Sequence, residues 1–568
     1  MKTTTFNVFS FFAAIALFLS ACGGLGKMEK HIEELGAKAE PEPLIVRGDS
    51  VEIKVTGKFP EKYFHKKVTA EATPVIVFEG GEESFKTQGY QGEDAAGNYE
   101  VIPYATGKSF SYTDRVPYRQ GMEESTVELR ISGTKGSKSA TFDPLPIGTG
   151  VITTPFLVQN DDQFVIAEDK FKQVLSYTMN ATINYEYNDS RVRPAELRRD
   201  EVKAMLDFIA LSATKDSIVL KGTMVDAYAS PEGEVSLNEN LATERAASAN
   251  AALAADMKKK KIAVDNQESF FGNNPKGEDW DGFKQMMEAS NIEDRNLILS
   301  VLQMYPDRVK REQEIRNMAK TYQEIEKNIL PQLRRSQIKL MYDIVGYTDD
   351  ELRGLSKSNP DILTVEELLY AATLFEGLND KLEIYGHAER RFPNDYRGAN
   401  NVGYCLMMQN KMGEAKNKFE KALGIERNPI TLNNLGAIAR VEGDRKKAAQ
   451  YFNEAASAGP AVKYNKGILA IQTGDYSSAI SNMSGNNSFN LALAKLLNGD
   501  TAGAKSTLDA SGDNSAVAHY LKAIIAARMN SGAEVLTNLN KAIEMDGSFK
   551  AKAKKDAEFR NFKAQFNF

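Results

Sequence analysis

The sequence lacks the arrangements of side chains that most enzymes use. It contains no Gly-rich phosphate loop and no nucleophile elbow, and no histidine stands near a candidate Ser or Cys nucleophile. Its 4 histidines are scattered, without the His/Cys spacing of a metal site. We therefore expect a protein that binds rather than catalyses, with no metal and no cofactor.

The most informative polar side chains lie in residues 228–246. The preceding residues 218–222 alternate as in a half-buried strand, a Pro- and Gly-containing turn follows, and the next residues are Ala-rich and favour a helix. This pattern predicts a strand, a loop and a helix in succession.

This stretch resembles the second half of the OmpA-like C-terminal domain, a periplasmic module that binds peptidoglycan. The positions in register with the family pattern are Gly233, Asn238, Leu241, Arg245 and Ala246. In the family, an Asp and the Arg hold the charged ends of the diaminopimelate in the stem peptide, and a bidentate guanidinium–carboxylate contact explains the choice of Arg. The resemblance therefore implies that Ser230, Asn238 and Arg245 are the candidate peptidoglycan-binding residues. Ser230 stands where the family has Asp, so the resemblance also implies weakened wall binding. The alternative is a docking module in which Arg245 is a structural salt-bridge partner.

Length and charge restrict the class of protein. A chain of 568 residues predicts about three or four domains. With 71 Lys and Arg against 77 Asp and Glu, the net charge of -6 argues against nucleic acid as a partner. We therefore expect a multidomain protein with protein or cell-wall partners.

The N-terminus has the features of an export signal. Residues 1–21 contain an apolar run too short to span a bilayer, followed by small residues and Cys22. The boundary resembles the bacterial lipobox, which implies that Cys22 is lipidated and anchors the protein. Gly23 is not the Asp of an inner-membrane retention signal, so we expect attachment to the outer membrane on its periplasmic side. Residues 22–43, with their Pro-rich end, predict an extended tether.

Residues 44–155 show the alternation of apolar and polar residues that is typical of strands. Residues 51–55 and 127–131 are examples, and Gly, Asp and Asn clusters separate the runs. This pattern predicts an N-terminal β-sandwich of immunoglobulin-like type. We expect it to act as a spacer or docking domain; carbohydrate binding by exposed tyrosines (Tyr90, Tyr99, Tyr104) is the alternative.

Residues 156–350 should form the α+β OmpA-like domain. Residues 257–333 interrupt it with several helical patterns, which predicts a helical insertion, and residues 336–344 alternate as a strand that closes the sheet. The long insertion and the Ala-Ser-Pro-Glu-Gly loop resemble a Bacteroidetes-type variant of the domain.

Residues 360–568 predict an all-α solenoid. Gly403 recurs as Gly436 after 33 residues and as Gly467 after a further 31, close to the tetratricopeptide period of about 34. Phe419 and Phe452 recur between them, and small residues opposite an aromatic ring would allow close helix packing. The pattern predicts tetratricopeptide repeats, with less regular helix pairs at both ends.

Asparagines recur on the first helices of these repeats. Asn401, Asn434 and Asn465 each precede a packing glycine by two residues, and Asn400 and Asn433 lie beside them. An amide can both donate to and accept from a peptide backbone, so we predict that these side chains bind a protein partner in the concave groove. The alternative is that they are solvated or cap neighbouring turns.

Two functional hypotheses follow from these features. In the first, the protein is a scaffold subunit of an outer-membrane assembly or secretion complex, and its repeats hold a protein partner. In the second, it is a lipoprotein that ties the outer membrane to peptidoglycan through Asn238 and Arg245. The missing family Asp favours the first.

Overall fold

The computed structural model describes residues 24–264 and 267–568. The predicted signal peptide and the predicted lipidation site Cys22 therefore lie outside the described residues. The described chain forms two compact units, one containing the residues up to Ala167 together with Phe392–Phe568, and the other containing Glu168–Arg391. No helix in the described ranges is long and apolar enough to cross a membrane.

The first unit begins with a β-sandwich. Its elements are α1 (Leu25–Lys30), a 3-10 turn (Ile32–Leu35), β1 (Lys38–Arg47), β2 (Ser50–Phe59), β3 (Thr69–Phe78), β4 (Gly81–Ser84), β5 (Gln88–Gly92), β6 (Glu100–Ile102), β7 (Lys108–Pro117), β8 (Ser125–Lys135), β9 (Lys138–Thr141), β10 (Leu145–Thr149), β11 (Val151–Ile152) and a 3-10 turn (Thr154–Leu157). One sheet has the order β11-β1-β2-β7 and the other the order β10-β8-β3-β5-β6, with β4 on β3 and β9 on β8. The alternating residues predicted to face inward are buried, as in β2 and β8.

The sandwich is larger than the sequence predicts. The segment expected to be a tether contributes Leu25, Met28 and Leu35 to the core, and β1 begins at Lys38. Its two prolines, Pro41 and Pro43, lie where the pairing register of β1 shifts, a position that tolerates residues without an N–H group. The expected tether is therefore folded from Leu25 onward.

The tyrosines proposed for carbohydrate binding do not form an exposed set. Tyr90 is buried and packs against Phe59 and Phe110 in the core of the sandwich. Tyr99 is exposed, and its hydroxyl donates to Glu71. The aromatic platform expected for a sugar is therefore absent from these three positions.

The second unit is built on a mixed sheet. Its elements are β12 (Val174–Asn184), α2 (Asp200–Ser212), β13 (Ile218–Ala229), α3 (Val235–Lys259), α4 (Gln267–Phe270), β14 (Phe271–Glu278), α5 (Trp280–Ala289), α6 (Arg295–Met304), α7 (Arg308–Arg316), α8 (Ala319–Asn328), α9 (Leu330–Leu333), β15 (Arg335–Val345), α10 (Asp349–Ser358), α11 (Val365–Thr373) and α12 (Leu378–Arg391), with 3-10 turns at Glu196–Arg198 and Pro360–Ile362. The strand order is β12-β15-β13-β14. Only β13 and β14 are parallel.

The closing strand of the prediction is β15, which pairs with both β12 and β13 and buries Ile338 and Leu340. The sequence did not predict β14, because Phe271–Glu278 contains two glycines and Pro275 and shows no apolar alternation. An edge strand tolerates such residues, since one side of it makes no ladder bonds. The helical insertion consequently comprises α5 to α9, and Trp280 packs against its core.

The first unit ends in a series of helix hairpins. Its helices are α13 (Tyr396–Met408), α14 (Met412–Ile425), α15 (Pro429–Val441), α16 (Arg445–Glu454), α17 (Pro460–Thr473), α18 (Tyr476–Asn482), α19 (Phe489–Leu497), α20 (Thr501–Ser511), α21 (Ala516–Arg528), α22 (Gly532–Met545) and α23 (Ser548–Lys555), with 3-10 turns at Ala557–Phe559 and Lys563–Gln565. The second helices α16, α18 and α20 each begin with an Asp N-cap that accepts a backbone N–H bond. The hairpin α11–α12, which the prediction placed in the solenoid, belongs to the second unit.

The repeating glycines pack as the sequence predicts. A Cβ atom on Gly403 would lie 2.8 Å from the Phe419 ring, and one on Gly436 would lie 2.6 Å from the Phe452 ring. Gly467 faces Met483 at 2.5 Å in the third hairpin. Each glycine therefore lets the side chain of the second helix lie against the first.

Candidate functional site

The predicted repeat groove contains a segment of the chain itself. Residues 157–167, which we call the strap, connect the sandwich to the second unit and run along the first helices of the hairpins. Every second strap residue from Gln163 to Ala167 forms a hydrogen bond from its backbone to a side chain of the repeats, as expected for an extended chain. The strap is part of the first unit as far as Ala167.

The three predicted asparagines each bind both backbone groups of one strap residue. Oδ1 accepts from the N–H group and Nδ2 donates to the carbonyl: Asn401 with Ala167 at 2.7 and 2.9 Å, Asn434 with Val165 at 2.8 and 2.8 Å, and Asn465 with Gln163 at 2.8 and 3.0 Å. The asparagines are 0–1% exposed. The predicted chemistry, recognition of a peptide backbone by amides, is present, and the occupant is the protein's own chain.

A fourth asparagine extends the pattern and was not predicted. Asn490, on α19, accepts from the Gln159 N–H group at 2.8 Å and donates to its carbonyl at 3.0 Å. It follows Asn465 by only 25 residues, because the third hairpin has a short second helix. Because this repeat is shortened, Asn490 does not follow the spacing by which the other asparagines were predicted.

The neighbouring asparagines hold the binding amides in place. Asn434 Nδ2 donates to Asn400 Oδ1 at 3.2 Å, and Asn465 Nδ2 donates to Asn433 Oδ1 at 3.0 Å. These bonds join one hairpin to the next. Because both partners are buried, the network fixes the amide orientations that the strap requires.

A buried ion pair joins the strap to the repeats. Arg440 on α15 donates from Nε to Asp162 Oδ1 at 2.7 Å and from Nη2 to the second carboxylate oxygen, and Nη2 also donates to Asn160 at 2.9 Å. The two paired side chains are 0% and 1% exposed. The sequence signal for this contact is weak: a single charged residue in helix α15, and an Asp in a linker.

A second strap carboxylate, Asp161, is bonded by neutral side chains of the repeats. Asp161 accepts from Tyr464 Oη at 2.5 Å and from Asn490 Nδ2 at 2.6 Å. Burial raises the pKa of this carboxyl above its ordinary value, although the hydrogen bonds oppose the shift. One residue beyond Gln163, the Phe164 ring stacks on Phe419 at 6.3 Å between centroids. The strap is thus bound by backbone, acidic and aromatic contacts.

The three residues predicted to bind peptidoglycan meet at one cavity of the second unit. Ser230, Asn238 and Arg245 line it together with Tyr187 and Glu232, around a volume of about 30 Å³. Such a volume holds about one or two water molecules. The structure brings the predicted residues together, but it leaves little room between them.

Arg245 bonds to the backbone of its own domain. It donates to the carbonyl groups of Asp189 at 3.0 Å, Tyr228 at 2.9 Å and Glu186 at 3.3 Å, and its guanidinium lies over the Tyr185 ring. The residue is 1% exposed, and burial lowers its pKa to about 10, which still leaves it charged at neutral pH. Arg245 therefore has a structural role here, with carbonyl partners in place of a carboxylate.

One acid that lines the cavity, Glu232, is already paired with a cation of the same chain. Arg334 donates from Nη2 to Glu232 Oε1 at 2.8 Å and from Nε to the same oxygen at 3.1 Å, and Ser230 Oγ donates to it at 2.5 Å. Asn238 Nδ2 donates to the Glu232 carbonyl and to Glu278, each at 3.0 Å. Glu232 thus lies beside Ser230, and its carboxylate is already paired.

The similarity of this chain to known proteins is low and partial. No family model matches the chain. The curated protein BBSome complex member BBS4 of Bos taurus is 26% identical over 105 residues, which are 18% of this chain and 20% of that protein, so the chain spans about a fifth of its length. Among solved structures, a tetratricopeptide repeat protein from Parabacteroides merdae has 16% identity, with 37% of this chain and 90% of that chain covered and a TM-score of 0.29. PilF of Pseudomonas aeruginosa also has 16% identity, covering 38% of this chain and 99% of that chain, with a TM-score of 0.28.

Proposed function

We propose that this protein is a non-enzymatic scaffold subunit of an outer-membrane assembly or secretion complex. The observation that carries the proposal is the row of buried asparagines that binds an extended backbone. A surface built in this way recognises polypeptide, since it offers paired donors and acceptors at the spacing of an extended chain. No other ligand class matches this arrangement as well.

The first unit has the rigidity that a scaffold requires. Its sandwich is fixed to the repeats by Arg445, which donates to Asp49 at 2.9 Å, and by Arg47, whose Nε donates to the Gly474 carbonyl at 3.1 Å. The strap adds its own contacts along the groove. Two folded modules are thereby presented as one body for partners to bind.

We place the scaffold on the periplasmic side of the outer membrane, anchored by lipid at Cys22. A chain with two or more acyl groups would be held stably, since each buried CH₂ contributes ~0.8 kcal/mol. Fractionation of cells that express Cys22→Ala tests the anchor: the variant should leave the membrane fraction and lose the mass of the lipid. Protease added to intact cells should spare the wild-type chain. Digestion of the chain in intact cells would instead indicate that it lies on the outside of the cell.

The scaffold itself is tested by its size in detergent. Wild-type protein extracted gently from membranes should migrate in a complex much heavier than its 62.8 kDa chain. The Cys22→Ala variant is the control, because it shows whether the complex forms without attachment to the membrane. A chain that is monomeric in the membrane extract would contradict the scaffold role.

Peptidoglycan binding remains the second candidate, and we propose that the second unit is an OmpA-like domain. The strand order, with the last strand between the first and second, and the convergence of Ser230, Asn238 and Arg245 on one cavity support this assignment. The Glu232–Arg334 pair in the cavity argues against a bound diaminopimelate. We therefore expect purified sacculi to retain no more of this protein than of an unrelated control, and retention abolished by Arg245→Lys would favour the wall-binding function instead.

A further inference from the structure

We propose that the repeat groove is a receptor for an acidic, extended peptide of another protein, and that the strap occupies it as an imperfect internal ligand. The inference rests on the proposed scaffold function and adds the chemistry of the partner. Its starting point is the backbone binding by Asn401, Asn434, Asn465 and Asn490, which any extended peptide would satisfy. Strap side chains contribute the sequence preference.

Two strap positions define that preference. Asp162 is bonded by the fully buried Arg440, so the corresponding residue of a partner must be acidic to avoid leaving a buried cation unpaired. Phe164 stacks on Phe419, so the position two residues later favours an aromatic ring. The partner peptide should therefore carry an acidic residue two positions before an aromatic one.

The strap does not satisfy the groove completely. Arg440 Nη1 is buried and has no hydrogen-bond partner among the described residues, although Nε and Nη2 are bonded. Beside Gln163 there is a cavity of about 480 Å³, which is also lined by Tyr464 and Lys463. A ligand with further acidic groups could use both features, whereas the strap offers a neutral Gln163 at the cavity.

The covalent connection of the strap to the rest of the chain explains how an imperfect ligand keeps the groove occupied. A segment joined to its site by a short linker has an effective concentration on the order of millimolar, so a free peptide competes poorly with it. A partner must therefore bind more tightly than the strap or arrive when the strap is weakened. The internal ligand sets a threshold that excludes weak peptides.

The test uses the full chain and a fluorescent synthetic peptide with the sequence of residues 157–168. Val165→Pro removes the N–H group that donates to Asn434 and leaves the groove intact. Ile166→Pro is the matched control, because the bonded amides are those of the alternate residues. Fluorescence anisotropy should show at least tenfold tighter peptide binding to Val165→Pro than to wild type or Ile166→Pro.

Peptide variants test the preference. On the Val165→Pro protein, a peptide with Gln163→Glu should bind severalfold tighter, and a peptide with Asp162→Ala should bind at least tenfold more weakly. Adding Arg440→Met to the protein should remove the penalty for Asp162→Ala. Equal affinity of all peptides, including one with a scrambled sequence, would overturn the proposal, as would equal affinity of wild type and Val165→Pro.

Circular dichroism shows whether Val165→Pro remains folded. If it does not, Phe164→Ala, which removes the stacking contact and no backbone bond, takes its place with the same expected and contradicting results. Failure of the scaffold role is a separate outcome, because it would appear as a monomer in membrane extracts while peptide binding persisted. Failure of the peptide preference would leave the membrane complex unchanged.

Discussion

The repeat groove and the cavity of the second unit are both predicted ligand sites, and the chain fills them in different ways. In the groove, an extended segment is held mainly through its backbone, and Arg440 Nη1 lacks a bond among the described residues. At the cavity, a single side chain, Arg334, pairs with the lining residue Glu232 beside Ser230. The groove is thus filled by groups that another peptide also has, whereas the acid at the cavity is held in one matched ion pair.

This difference separates a site that can exchange its occupant from one that cannot do so easily. The strap is a connecting segment, and it contributes only Leu157, Val158 and Phe164 to hairpin cores that consist otherwise of residues from the C-terminal helices and turns. Arg334 directly precedes β15, which pairs with two strands of the sheet, so its backbone cannot move without disturbing the fold. We therefore regard the groove as the functional surface and the cavity as structural.

The largest expected effect tests how strongly the strap is held. Arg440→Ala leaves the Asp162 carboxylate buried without a partner, and breaking a buried pair in this way costs about 3–5 kcal/mol. Denaturant unfolding of the first unit should show this loss. Lys505→Ala, which removes an exposed pair with Glu534, is the control and should cost less than about 1 kcal/mol.

Replacing both members of the buried pair sharpens the test. Arg440→Met combined with Asp162→Leu removes both charges, and such exchanges are often neutral or stabilising. The double variant should therefore recover most of the stability that Arg440→Ala loses. If Arg440→Ala unfolds like the wild type, the pair does not hold the strap in solution.

The cavity should respond to Arg245 as a structural site. Arg245→Ala removes bonds to three backbone carbonyl groups, and one hydrogen bond to a charged group is worth about 1.5–3 kcal/mol. The second unit should lose about 3 kcal/mol of stability, and thermal unfolding would measure this loss. Unchanged unfolding together with loss of sacculus retention would restore Arg245 to a ligand-binding role.

The helix packing behind the groove should show a smaller effect. Gly436→Ala places a Cβ atom 2.6 Å from the Phe452 ring, and overpacking of this kind costs about 1–3 kcal/mol. Gly413→Ala is the matched control, since a Cβ there would meet no atom within 4 Å and alanine favours a helix. The control should be neutral or stabilising, and a loss equal to that of Gly436→Ala would contradict the packing explanation.

The smallest effect concerns the charge of the strap at Asp161. Burial raises the pKa of this carboxyl in the folded protein, so its contribution to stability is fully present below its unfolded pKa and is lost as the pH rises through the folded pKa. Asp161→Asn removes the titration. The variant should be slightly more stable than wild type at neutral pH, and a pH series of unfolding curves should show that this advantage disappears in acid. An unchanged difference at every pH would exclude this explanation.

The sequence allowed prediction of the recurring features of the fold and not of the non-repeating ones. The spacing of Gly403 and Gly436 follows from helix packing and identified the hairpins, and the alternation in residues 336–344 identified β15. The edge strand β14 escaped because its residues do not alternate, and the strap escaped because a linker pairs with residues hundreds of positions away. Local patterns do not report such contacts.

The same reasoning applies to the candidate sites. The asparagines were found because an amide repeated at a helical position has few purely structural explanations. Their occupant could not be found, since backbone recognition leaves no trace in the recognised sequence. At the cavity, the sequence indicated Ser230, Asn238 and Arg245, but Arg334, which pairs with the neighbouring Glu232, lies 104 residues from Ser230 along the chain. Its role depends on the fold and not on a motif.

Hydrogen exchange at individual strap amides tests the central claim most directly. If the strap fills the groove in solution, the amides of Gln163, Val165 and Ala167 should exchange slowly in the wild-type chain. In the variant with Asn401, Asn434 and Asn465 all replaced by Ala, they should exchange at least tenfold faster, while the amides of α21 and α22 stay protected. Exchange of these three amides in wild type at the rate of an unfolded peptide would contradict the account.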